Sequence, residues 1–149
     1  MRIRLATLDD VNDLSLLETR VFDPQFYHLM HRSQFLHLLT KGHADILIAE
    51  QNAVICGMLI ILYRTTSQLG RMYSIAVDPD YQGGEVGKRL FDFMEEHLKK
   101  RNMKGVILEI RAENTPHLER YKKRGYCVSG SVPDYYPDGS SCLKLKKTW

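Results

Sequence analysis

Gly83, Gly84 and Gly87 stand directly before Lys88 and Arg89 in the run YQGGEVGKRL, residues 81–90, at the mouth of a helical pattern. Glycines let a main chain approach a ligand closely, and the unpaired N–H groups at a helix start favour a bound anion. Glu109 lies in the apolar strand pattern VILEI, where a carboxylate is costly unless paired or employed. Tyr121, in LERYKK, adds a hydroxyl to a helical stretch downstream. A cleft with a base on one wall, an acid on the other and an anion cradle beside them suits amide formation.

Spacing narrows the kind of cradle. A Walker A loop needs four residues between its first glycine and the Gly-Lys pair, followed by a hydroxyl for magnesium. Here Gly83 and Gly87 are separated by three residues, and Arg89 occupies the hydroxyl position. The Gly-x-Gly-x-x-Gly spacing of a dinucleotide fold is absent too, as is a clear ribose-binding acid. What remains is a strand, Asp78-Pro79, a tyrosine, and Gln82-Gly83-x-x-x-Gly87 opening a helix. By itself this segment reads equally as an anion site or as a tight turn.

The positioning elements follow from periodicity. IRL forms a short first strand, and Asp9 or Asp10 caps a helix whose apolar face is Val11, Leu14, Leu17 and Val21. FDPQFYHLMH breaks the chain before a second helical stretch that runs to about Thr40. ADILIAE and VICGMLIILYR are strands joined at Gln51-Asn52, and MYSIAV is a third that ends at Asp78-Pro79. Val86, Leu90, Met94 and Leu98 mark one face of a long helix, and VILEI is a central strand. Thr115 as N-cap, Pro116 at the first helical position and Gly125 just past the end delimit a short helix. Two closing strands meet at YYPDGSS, a Pro-Asp-Gly turn signal. The order β-α-α-β-β-β-α-β-α-β-β predicts a single α/β domain over residues 1–149 with a mixed central sheet.

Bulk composition excludes other classes. With 149 residues, 44% hydrophobic and 26% charged, the chain has the size and balance of one globular domain. No apolar run approaches the ~18 residues that span a bilayer, and the start MRIRLATLDD has no secretory pattern. Cys56, Cys127 and Cys142 share no metal-ligand spacing and fit free thiols in a reducing, cytoplasmic setting. His28 and His31 lack a third ligand, so no metal site is expected. The net charge of +3 and the cluster Lys99, Lys100 and Arg101 at a helix end call for neither nucleic acid nor a membrane. The chain is expected as a monomer or homodimer.

SIAVDPDYQGGEVGKRL resembles the acetyl-CoA-binding motif of the GNAT N-acetyltransferase superfamily, Gln/Arg-x-x-Gly/Ala-x-Gly/Ala, with Gln82 and Gly87 at its first and last positions. Glu85 takes the place of the middle glycine. A carboxylate ~4 Å from a diphosphate would repel it by roughly 1–4 kcal/mol, so Glu85 is expected to point away, with Gly84 absorbing the strain. LEIRAENTPHLERYKKRGY resembles the family's later segment, with His117 for a small residue and Arg120 for a leucine. YYPDG resembles the closing hairpin of the RimI-like subgroup, which acetylates protein N-termini.

The resemblance implies a GNAT-like fold with acetyl-CoA, as acyl-donor cosubstrate, in the cleft between two central parallel strands. It assigns the cofactor to Ile75, Ala76, Val77, Gln82, Gly83, Gly84, Glu85, Val86, Gly87, Lys88, Asn114 and Tyr121, with Asn114 against the pantetheine arm. It implies Glu109 as general base, acting directly or through water, and Tyr121 as the acid facing the departing sulfur. A backbone N–H of MYSIAV would polarise the oxyanion. Glu18, Phe22, Tyr135 and Tyr136 fall where the acceptor binds. Bland alternatives stand beside these: Glu109 paired with an arginine across the sheet, and Tyr121 as the wet edge of an apolar stripe with Leu118.

An α-amine, with a pKa of about 7.7–8.0, is roughly a tenth neutral at pH 7, and lysine, near about 10.4, well under a thousandth. A carboxylate base therefore suits the N-terminal amine of a protein or peptide. The alternatives are a small-molecule amine acceptor, or a non-catalytic acyl-CoA-binding module.

Overall fold

The computed structural model describes residues 1–149. Strand β1 (Arg2–Leu5) leads through a 3₁₀ turn (Leu8–Asp10) to helices α1 (Val11–Val21) and α2 (Arg32–Thr40). Strands β2 (Ala44–Gln51), β3 (Val54–Leu62) and β4 (Leu69–Val77) follow, then a second 3₁₀ turn (Pro79–Tyr81) and helix α3 (Val86–Lys100). Strand β5 (Gly105–Arg111), helix α4 (Thr115–Lys123) and strands β6 (Cys127–Val132) and β7 (Cys142–Thr148) complete the chain. This is the element order that periodicity predicts.

All seven strands join one sheet in the order β1-β2-β3-β4-β5-β7-β6. Only β4 and β5 pair in parallel. Strict alternation sends the two faces into separate cores. Ile46, Ile48, Met58 and Ile60 pack with Val11, Leu14, Leu17 and Phe35 under α1 and α2. Leu47, Leu59, Ile61, Val106, Leu108 and Ile110 pack with Val86, Leu90, Met94 and Leu98 of α3 on the opposite face. Gly57 seats α3 closely, since a Cβ there would lie 2.7 Å from Val86 Cγ1.

Three local expectations are revised. Asp10 precedes α1, yet its carboxylate turns back to accept the Thr7 N–H (2.7 Å) and a bidentate pair from Arg4 (2.9 Å each). Asn114, rather than Thr115, is the N-cap of α4, its Oδ1 accepting the His117 N–H at 3.3 Å. The β2–β3 turn is built on Asn52 and Ala53, both at positive φ (52° and 64°), rather than on Gln51-Asn52. Twist matching drives that choice, because a two-residue hairpin loop needs two left-handed residues in succession.

The feature that matters for function is the parting of β4 and β5. Their pairing runs from Leu69↔Gly105 to Met72↔Leu108 and stops. At that level β4 carries a bulge: Ile61 pairs with Met72 and Ile60 with Ser74, which leaves Tyr73 as the extra residue. A bulge bends its strand and increases its twist. Beyond it, Tyr73–Val77 of β4 and Glu109–Arg111 of β5 diverge, and the edge of β4 that faces β5 has no strand partner.

Candidate active site

Glu109 and Arg111 project from the face of β5 opposite Val106, Leu108 and Ile110, which belong to the α3-side core. Parallel register sets Arg71 of β4 opposite Ile107, one step diagonal from Glu109. The result is a short ion pair, Arg71 Nη2 donating to Glu109 Oε2 at 2.7 Å. The Tyr135 hydroxyl donates to the same oxygen at 2.9 Å, and Oε1 accepts no bond from the protein. Burial opposes the charge on Arg71, but the Glu109 hydrogen bond and charge outweigh it and raise its pKa. An arginine across the sheet is the bland alternative for Glu109. The structure supplies that partner and still leaves one carboxylate oxygen free.

Glu109 lines a cavity of about 160 Å³ together with Glu18, Phe22, Tyr27, His28, Tyr73, Ser74, Tyr135 and Tyr136. All four residues expected to contact an acceptor therefore meet Glu109 in one place, though they come from α1, the α1–α2 loop and the β6–β7 connection. Glu18 is 3% exposed; its Oε2 accepts the Met30 N–H at 2.8 Å and its Oε1 has no partner. Burial pushes its carboxyl pKa upward, against the opposing effect of the Met30 N–H. A larger hollow of about 430 Å³ between β1 and α3 contains none of the candidate residues, and mixes Asp92 and Glu96 with Arg89 and Lys100.

Tyr121 does not line the acceptor cavity. It packs on the α3-side core, its ring 5.3 Å from Phe91, 5.8 Å from Tyr126 and 6.2 Å from His117. Glu109 and Tyr121 thus lie on opposite sides of the sheet, and the gap between β4 and β5 is the opening that separates them. Burial raises the Tyr121 pKa, while Arg120 and Arg124 pull it back. The phenol keeps its proton at neutral pH.

The loop before α3 completes the arrangement. Gly83, rather than Gly84, takes the left-handed conformation, at φ +82°, and a Cβ there would meet nothing within 4 Å. Gln82 Nε2 donates to the Val77 carbonyl at 3.0 Å and tethers the loop to the end of β4. Arg20 clamps Asp78 through two bonds of 3.0 Å, and Asp78 Oδ1 accepts the Asp80 N–H at 2.9 Å. From Gly83 to Lys88 no backbone N–H donates to a protein acceptor, because these amides precede the first intrahelical bonds, Arg89 N–H to Glu85 C=O among them. Glu85 is exposed, and its carboxylate makes neither a hydrogen bond nor an ion pair. Six successive free amides at a helix start fit a diphosphate, and the open edge of β4 at Ile75, Ala76 and Val77 fits an amide-bearing chain that adds as a strand would.

Arg71, Arg111, Tyr27, Tyr73 and Ser74 escaped the sequence reading as site residues. An arginine inside the apolar strand LGRMYSIAV was a visible signal for Arg71. The register that pairs it with Glu109 was not.

The family model for the acetyltransferase (GNAT) family matches residues 9–126. The chain belongs to that family. Across 140 residues it is 28% identical to a Bacillus subtilis (strain 168) protein provisionally named a ribosomal protein bS18-alanine N-acetyltransferase, covering 91% of this chain and 87% of that one. Among solved structures, the Escherichia coli ribosomal-protein-S18-alanine N-acetyltransferase superposes with a TM-score of 0.87 at 22% identity, covering 99% of this chain and 92% of its own. A Bacillus anthracis (str. Ames) protein, provisionally named a streptothricin acetyltransferase and solved with acetyl coenzyme A, gives a TM-score of 0.78 at 18% identity over 99% of both chains. At such identities the structural likenesses speak for the fold. As a GNAT member the chain is an N-acetyltransferase. No helix in it is long and apolar enough to cross a membrane.

Proposed function

We propose that this GNAT enzyme acetylates the N-terminal α-amine of a protein or peptide, with acetyl-CoA as donor. The observation that carries the reading is the cavity where β4 and β5 part, which gathers Glu109, Glu18 and the aromatic rims Phe22, Tyr27, Tyr135 and Tyr136 beside an open strand edge. Bound acetyl-CoA supplies an acyl carbon activated as a thioester. The amides of Gly83–Lys88 hold the diphosphate, and Lys88, 66% exposed in its side chain, adds a cation at the loop. Gln82 keeps the loop against Val77, and the main chain of Ile75–Val77 would hold the pantetheine arm along the open edge of β4 and supply an N–H to the oxyanion.

On the acceptor side, Glu109 Oε1 takes the ammonium proton through water, while Arg71 and Tyr135 hold Oε2 and fix the carboxylate plane. From the opposite side of the sheet, the Tyr121 hydroxyl donates toward the departing sulfur. An ordinary phenol near about 10 against a thiol near about 8.5 already makes complete transfer uphill, and burial of Tyr121 adds to that, so a strengthening hydrogen bond carries much of the effect. Asn114, as the N-cap, orients the first turn of α4 next to the arm. The names of the relatives agree with a protein N-terminus as acceptor, and the half-buried aromatic rims suit an extended peptide better than a compact polyamine.

The test is a panel of peptides with free and with blocked N-termini, alongside polyamines and amino acids, assayed for thiol release from acetyl-CoA. Acetylation confined to free N-termini is expected. Acetylation of blocked peptides or of small amines alone refutes the acceptor, and binding of acetyl-CoA without turnover on any amine refutes the catalytic reading.

A further inference from the structure

Arg111 is the next outward residue after Glu109 on β5, with a side chain only 11% exposed. Its guanidinium reaches both rims of the acceptor cavity at once. On one side Nη1 donates to both oxygens of Asp138 (3.0 and 2.9 Å), in the connection between β6 and β7. On the other, Nη2 donates to the Phe26 carbonyl, in the connection between α1 and α2. Three rings surround the cation: Tyr136 at 4.2 Å from one rim, Tyr27 at 4.8 Å and Phe26 at 5.5 Å from the other. The rims also touch through the Tyr27–Tyr136 edge contact, with centroids 6.1 Å apart.

We infer that Arg111 is the positioning residue that latches the two rims of the acceptor pocket, an inference that rests on the acceptor reading of that cavity. A planar fork with donors on two sides and faces that accept stacking rings is what this geometry uses, and lysine has neither property. The latch also serves the base. Tyr136 stacks on Arg111, and its neighbour Tyr135 donates to Glu109 Oε2, so holding Asp138 and Tyr136 holds the Tyr135 hydroxyl on the carboxylate. Phe22 packs on Tyr27 at 5.1 Å, which extends the same restraint to the wall nearest α1. Loss of the latch frees both rims while leaving the diphosphate loop, which touches none of these residues, in place.

The experiment compares Arg111→Met, Arg111→Lys and Asp138→Asn in the full chain. It measures the acceptor KM with the most rapidly acetylated peptide of the panel, the acetyl-CoA dissociation constant, and hydrogen exchange over residues 22–31 and 133–141. Losing charge-assisted bonds of this kind weakens an interaction by about tenfold or more. Arg111→Met is expected to raise the acceptor KM by about that factor and to speed exchange in both segments together, with acetyl-CoA affinity within about twofold of wild type. Arg111→Lys recovers part of the loss, and Asp138→Asn, which keeps the rings and the Phe26 contact, loses less. An acceptor KM that moves less than about twofold, exchange that changes in one segment only, or acetyl-CoA affinity that falls in parallel overturns the inference. If Arg111→Met does not fold, Asp138→Asn decides: faster exchange at 22–31, a rim to which Asp138 does not belong, supports the latch, and unchanged exchange there overturns it. Exchange reads the latch without any acceptor, so a wild-type chain that acetylates no peptide refutes the proposed function and leaves this result separate.

Discussion

Replacing Glu18 by glutamine is expected to stabilise the fold at neutral pH. The carboxyl is 3% exposed, one oxygen is matched by the Met30 N–H at 2.8 Å, and the other is matched by nothing. An unsatisfied buried polar atom costs about 1–3 kcal/mol, and more when charged. Glutamine keeps an oxygen for Met30 and removes the charge, at the expense of a weaker bond to that N–H and of an amide N–H₂ as unmatched as the oxygen it replaces. The net gain is about 1 kcal/mol, or roughly 2–4 °C in Tm for a chain of this size. The sign follows from linkage. Burial raises the folded-state pKa of Glu18 above that of the unfolded chain, so its penalty is absent where both states are protonated, below about pH 4. The penalty grows as pH rises from there to the folded pKa, and is complete above it. Urea unfolding of wild type and Glu18→Gln, followed by circular dichroism at pH 4, 5.5 and 7, should show the gap opening with pH; every other titrating group cancels in the difference. A variant less stable than wild type at pH 7, or a gap that stays constant across the series, would refute the reasoning. The same variant should raise the acceptor KM if a buried charge is retained at that wall for function.

Tyr121→Phe should retain acetyl-CoA binding and lose turnover by about 100-fold, the usual scale for one general acid, as read by thiol release; unchanged turnover would leave Tyr121 as packing against Phe91 and Tyr126. Glu85→Gly should leave the acetyl-CoA dissociation constant within about twofold, because the side chain is exposed and unpartnered; markedly tighter binding by calorimetry would mean that Glu85 repels the diphosphate. Ala53→Gly should stabilise the chain by roughly 0.5–1 kcal/mol in urea, relief of left-handed strain at φ 64° exceeding the added chain entropy; a loss of stability would contradict that balance.

Much of the framework around the candidate site was legible in the residues because its parts are local. The helix start after Gly83 and Gly84, the apolar face Val86-Leu90-Met94-Leu98 and the alternation of VILEI are patterns within one element, and the backbone obeys them. The Gly125 stop of α4 held as well, at φ +96°. The misplaced N-cap of α4 arose because Asn114 and Thr115 are both capping types, and a shift of one residue costs little in pattern. The bulge at Tyr73 was invisible, since an extra residue leaves the apolar run MYSIAV unchanged while altering which strand edge is exposed.

Sequence alone determined the element order, the two-faced burial of the sheet and the glycine-rich helix start after β4, because each depends on neighbours within a few residues. Tertiary structure decided the partners. Arg71 reaches Glu109 through parallel register, Arg111 joins Phe26 to Asp138 across 85 and 27 residues of chain, and Glu109 and Tyr121 fall on opposite sides of one sheet. Contacts of that separation are set by how strands pair and where they part, and those choices minimise the energy of the whole sheet rather than of any segment.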